Sequence, residues 1–152
     1  MSQSLVFMMG EFKAEFPNDR LYAKNHMWAI KQEENLYRFG FSAYAVRLLQ
    51  DVYFIEFSVE PGAKIQLRQE FGTIESKKAE SGLYSPVAGE LLSLNPLILE
   101  DPSVINVDKY DEGWLMEVRG EGNELLTPEA YMQHLESAWE VAQRTIKGQA
   151  NA

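Results

Sequence analysis

Cysteine is absent from this chain of 152 residues, and that one absence removes structural disulfides, thiolate nucleophiles and cysteine-ligated metals together. Positive charge is scarce too: 14 lysines and arginines stand against 23 acids, a net charge of −9. The long-range field therefore repels phosphate backbones, and no basic stripe is left for a nucleic acid to follow. Long apolar runs are missing. No stretch reaches the length of a membrane span. The run Leu5 to Met9 is shorter than a signal h-region and has no basic residues before it. With no Arg-rich transit peptide either, the expectation is a cytoplasmic protein that engages neither nucleic acid nor membrane. Histidine occurs only at His26 and His134, which is too little for a metal site or a nucleophile triad. The glycines of "MGEF", "RFGF", "EFGT" and "SGLY" lack the spacing of a phosphate-binding loop.

What is present is a 45% hydrophobic sequence, enough for a single domain over residues 1–152 with a real core. From Leu21 to Phe41 polar and apolar residues alternate around "KQEEN", which predicts strand, reversal and strand, with His26 sharing a strand face with Trp28. Ser42 reads as the N-cap of a short helix "AYAVRLLQ", followed by the strand "DVYFIEFSV" and a turn at Pro61 and Gly62. The stretch "NPLILEDPSVINVDKYDEG" reads as loop, and "WLMEV" as the last strand. Thr127 and Pro128 then open a helix over about 127–147. Its stripe of Tyr131, Leu135, Ala138, Trp139, Ala142 and Ile146 faces the domain, with Gly148 as its stop. The fold class expected is mostly β, an α+β chain with short helices and a C-terminal helix.

Two adjacent lysines, Lys77 and Lys78, interrupt "IESKKAESGLYSP" where two short strands face each other across a turn. Long cations at a strand end are ordinary surface, since they blunt an edge and stay hydrated at small cost. Their surroundings point further: Glu75 and Ser76 before, Ala79 after, then "LYSPVAGE" with a second strand and a glycine.

Those residues resemble the lipoyl-carrying H proteins of the glycine cleavage system. The family's "ESxKA…SP…G" signature is matched by Glu75, Ser76, Lys78, Ala79, Ser85, Pro86 and Gly89. The likeness runs from about Tyr22 to Tyr131, with further matches in "YAKNHMW", Gly40, Ala45, Leu49, Asn95 and "INVDKYDEGW". It implies a barrel-sandwich hybrid of the lipoyl-domain kind, a carrier rather than an enzyme, and lipoic acid bound covalently to Lys78 rather than Lys77. Glu75 and Gly89 would be read by lipoate ligase or lipoyl-assembly enzymes. The missing cysteines fit such a carrier, because the dithiol would sit on the arm.

The sequence also departs from the family pattern. An acid between the first motif's histidine and tryptophan is replaced by Met27, an acid four residues after the lysine by Gly82, and a cleft histidine by Leu48. With His26, these are the cleft candidates. Two lost carboxylates weaken the anchoring of a cationic amine, each charge-assisted bond being worth about 1.5–3 kcal/mol. The first reading is therefore similar to the lipoate-binding proteins of the heterodisulfide-reductase-like system of cytoplasmic sulfur oxidation, with that system's enzymes as partners. The alternative is a glycine cleavage H protein carrying an aminomethyl group among glycine decarboxylase, aminomethyltransferase and dihydrolipoamide dehydrogenase. A non-lipoylated binding module of the same fold comes third.

Overall fold

In the computed structural model, residues 3–150 are described, with side chains as far as residue 144. Apolar and polar residues alternate in "SLVFMMGEFKAEFP", which folds as a hairpin of β1 (Ser4–Met9) and β2 (Phe12–Pro17). Gly10 takes φ 65° in its two-residue loop, the positive φ that favoured hairpin turns require. The sequence reading did not find this hairpin, although a glycine between two alternating runs is its signal.

The main sheet has six strands in the order β3 (Leu21–Tyr22), β4 (Met27–Glu33), β5 (Leu36–Phe41), β11 (Met116–Arg119), β10 (Gly89–Leu94) and β7 (Lys64–Ile65). A second sheet joins β6 (Val52–Phe57), β8 (Glu70–Ser76) and β9 (Glu80–Tyr84) in that order. Among the described residues the two sheets face each other as a sandwich without a closed barrel, in the mostly-β architecture with short helices and a C-terminal helix that was expected. Its core joins Phe39, Leu91 and Val118 of the large sheet to Ile55, Phe71, Ile74 and Leu83 of the small one.

The strand expected to begin at Leu21 is broken. Tyr22 is followed by a turn in which His26 N–H donates to the Ala23 carbonyl at 3.0 Å, and His26 takes φ 72°. His26 therefore lies outside β4 and does not share a strand face with Trp28. The expected loop after Leu94 contains two short helices, α2 (Pro96–Glu100) and α3 (Val104–Val107). Asn95 starts the first by accepting the Leu97 N–H, with Pro96 at the first helical position. Ser42 does precede α1 (Ala43–Leu49), yet its hydroxyl makes no cap and bonds Tyr131 instead.

Helix α4 (Pro128–Ala150) is capped by Thr127, whose Oγ1 accepts the Ala130 N–H at 3.2 Å. It runs through Gly148 rather than stopping there, and the side chain of Ile146 lies outside the described residues. Tyr131 and Leu135 are fully buried in a second core with Phe16, Tyr22, Trp28 and Tyr44, closed by Met9 and Ala14 of the first hairpin. Tyr131 stacks on Tyr22 at 4.7 Å and meets Phe16 edge-on at 5.6 Å. This second core fixes α1 and the His26 turn from behind. Among the described residues, no helix is long and apolar enough to cross a membrane.

Candidate functional site

Strands β8 and β9 meet in a three-residue loop made of Lys77, Lys78 and Ala79. The Ser76 N–H donates to the Ala79 carbonyl at 2.8 Å, and the Ala79 N–H donates to Ser76 Oγ at 3.2 Å. The Lys77 N–H is tied to the Asp51 carbonyl at 2.8 Å. These bonds hold the backbone of the tip while both lysine side chains stand exposed. Among the described residues no acid pairs with Lys78, so no counter-ion holds its side chain against the body of the domain.

Glu75 is half-buried at the base of this tip, directly opposite Glu80. Gly89 lies away from it, at the start of β10. A Cβ there would collide with the Arg119 carbonyl, so glycine at this position is already required by close strand contact.

β9 is the outer strand of its sheet. A cleft of about 240 Å³ is lined by Ser81, Gly82, Leu83 and Tyr84 of this strand together with Met27, Phe41 and the α1 residues Ala45, Leu48 and Leu49. The cleft brings together the four candidates His26, Met27, Leu48 and Gly82. Ser85 exchanges bonds with Gln69 and Arg68 on the inner side, so by antiparallel alternation the amide groups of Tyr84 and Gly82 face the free edge. The Tyr84 carbonyl accepts Asn25 Nδ2 at 2.8 Å, which ties this edge to the His26 turn.

His26 Nδ1 lies 2.8 Å from the Tyr131 hydroxyl, which is 3.0 Å from Ser42 Oγ. Burial, with a smaller contribution from nearby His134, lowers the His26 pKa to about 4, so the imidazole is neutral at physiological pH. Burial also raises the Tyr131 hydroxyl above the ordinary phenol range. The wall of the cleft is therefore an uncharged network. His134, whose Nε2 sits 3.0 Å from the Lys24 carbonyl, buttresses it from α4.

Two contributors to the cleft escaped the sequence reading, Asn25 and Tyr84; Glu70 approaches position 82 but lines a separate hollow with Glu56 and Thr73. A side chain at Gly82 would meet Glu70 Oε1 and the Tyr84 hydroxyl, the latter at 2.7 Å. A carboxylate thus does stand beside position 82, supplied across the sheet by β8. Linear spacing could not reveal it, because the register of β8 against β9 shifts between Glu70 and Gly72.

An exposed lysine on a fixed hairpin beside an apolar cleft defines a carrier domain, which presents a side chain to other proteins and is not itself a catalyst. Residues 20–138 match the glycine cleavage H-protein family, and the chain belongs to that family. A glycine cleavage system H protein of Rubrobacter xylanophilus is 44% identical over 124 residues, spanning 81% of this chain and 97% of its own length. One from Carboxydothermus hydrogenoformans is 38% identical, spanning 82% of this chain and 97% of its own. The crystal structure of a glycine cleavage system H protein from Mycobacterium marinum superposes with a TM-score of 0.71 at 30% identity, over 80% of this chain and 99% of that one. The β1–β2 hairpin precedes the matched residues.

Proposed function

We propose that this chain is a lipoyl carrier of the H-protein kind, modified on Lys78 and working in the cytoplasm. The observation that carries this reading is the exposed, unpaired Lys78 at the end of a strand that lines an apolar cleft. Gly82 lies four residues beyond Lys78, roughly 13 Å at a strand's rise of about 3.3 Å per residue. A group attached at Nζ and folded back along β9 would pass Glu80 and Ser81 to reach the cleft. When bound, lipoate supplies the redox-active sulfurs that this chain lacks. Met27, Leu48 and Leu49 would shelter its apolar part, and the backbone edge at Gly82 would offer hydrogen bonds to its polar part. Glu75 is assigned to recognition by the lipoylating enzyme, as is Gly89 despite its packing role.

For the cargo, the glycine cleavage reading is now the first. The similar proteins bear that name. Glycine decarboxylase, aminomethyltransferase and lipoamide dehydrogenase are then its partners. A second reading, a sulfur-borne cargo handled by heterodisulfide-reductase-like enzymes, is favoured by Met27, Leu48 and the neutral His26 in the cleft wall.

The test is the intact mass of protein purified from its native cells, with peptide mapping across Thr73 to Ser85. A lipoyl increment on Lys78 is expected, and an unmodified Lys78 would move the chain to the binding-module reading. Incubating the lipoylated protein with glycine and glycine decarboxylase separates the cargoes. Loading supports the first reading, whereas failure there with loading by sulfur-oxidation enzymes supports the second.

A further inference from the structure

A second hollow adjoins the arm cleft. Asn25 and Tyr84 also line this larger cavity of about 490 Å³, so the two hollows share a wall at the Asn25 to Tyr84 hydrogen bond. Buried Ala23, Ser85 and Pro86 contribute to its lining, while Leu67 and Tyr84 stand 38% and 48% exposed at its sides. Two exposed cations, Lys24 and Arg68, flank it. Among the described residues neither has an acidic partner.

The same lining holds one acid, the exposed Glu124, so on a chain with a net charge of −9 the two cations leave this hollow with a local excess of positive charge. Arg68 is also held in the left-handed region at φ 68°, with its N–H donated to the Ser85 carbonyl at 2.8 Å. A side chain bearing a Cβ costs about 1–2 kcal/mol in that region, and glycine would avoid the cost. What arginine adds there is a cation over an apolar floor.

We propose that this second hollow is the docking groove for the enzyme that loads the arm, and that it takes an extended segment of that enzyme in which an acidic side chain neighbours an apolar one. The apolar side chain would cover Leu67, Tyr84 and Pro86, while the acid would pair with Lys24 and Arg68. Because the two hollows share Asn25 and Tyr84, a segment seated there brings its enzyme alongside the arm cleft. Such a contact changes how often productive encounters occur and how long they last, not the chemistry within them.

The proposal rests on the carrier reading, and its test keeps the two apart. Lys24→Glu/Arg68→Glu protein is prepared in lipoylated form, with the modification verified by mass, beside a Lys31→Glu control at the distant β4–β5 turn. The kinetics of loading by glycine decarboxylase are then measured as a function of carrier concentration. The expected result is a KM raised at least about tenfold in the double variant, with kcat unchanged and the control near wild type, equivalent to about 1.4 kcal/mol of lost docking. An unchanged KM, or an equal rise in the control, would overturn the groove. If wild-type lipoylated protein is not loaded at all, the glycine cleavage reading fails by itself. The groove is then judged by titrating the isotope-labelled protein with a peptide of alternating aspartate and leucine. Shifts at Asn25, Leu67 and Tyr84 that vanish in the double variant support it, and their absence in wild type overturns it.

Discussion

Two hairpins of this chain, β1–β2 and β8–β9, are put to opposite uses. In β1–β2 the loop is Gly10 and Glu11, and the inward residues Met9, Ala14 and Phe16 are buried against α1 and α4. In β8–β9 the loop is Lys77, Lys78 and Ala79, and only the strands are buried, through Phe71, Ile74 and Leu83. The first is shaped by a glycine with positive φ. The second has no positive φ in its loop and is held by the Ser76 hydroxyl and by the bond from Lys77 to Asp51. One hairpin adds core, whereas the other holds its backbone so that a side chain can project.

The largest effect that separates them is at Lys78. Lys78→Arg keeps the charge and the fold but removes the acylatable amine, so modification should fall to zero by intact mass, while Lys77→Arg should leave it complete. The reverse result would shift the attachment by one residue. On the other hairpin, Phe16→Ala removes a fully buried ring that touches both Tyr22 and Tyr131. A cost of about 3–5 kcal/mol in denaturant unfolding is expected, with Lys78 still modified in whatever fraction remains folded. A loss below about 1 kcal/mol would show that the first hairpin is not part of the cooperative core.

The contrast also explains what could be read from the sequence. The tip of β8–β9 was legible because "ESKKAE" keeps its chemistry within a few residues. The C-terminal stripe was legible because Tyr131 and Leu135 repeat at helical spacing. The cleft was legible only in part, since His26, Met27, Leu48 and Gly82 come from separate segments that folding brings together. Glu70 and Tyr84 were missed for the same reason: their approach to Gly82 depends on an irregular register. Ser42 shows a different limit. Its position before α1 suits a cap, but a buried phenol is a competing partner that no local pattern announces.

The turn that joins the two regions carries a pH dependence. Burial and His134 hold His26 near pKa 4 in the folded chain, against about 6.5 for a free imidazole. As pH falls, the unfolded chain therefore takes up this proton first. Stability from this residue is fully present above about pH 6.5 and is lost as pH falls towards 4, by at most about 3 kcal/mol. His26→Gln should flatten that part of the stability curve. An unchanged slope would place the acid sensitivity in other groups.

The smallest effect tests how each loop is made. At Gly10 an added methyl would meet nothing within 4 Å, yet φ is 65°. Gly10→Ala therefore isolates backbone strain from crowding, and a cost of about 1 kcal/mol is expected. That strain belongs to the first hairpin alone, so the same variant should be lipoylated at the wild-type rate in a time course followed by mass. A slower rate would mean that the added hairpin communicates with the lysine tip through α1 and the cleft wall, and the two hairpins would then act as one device rather than two.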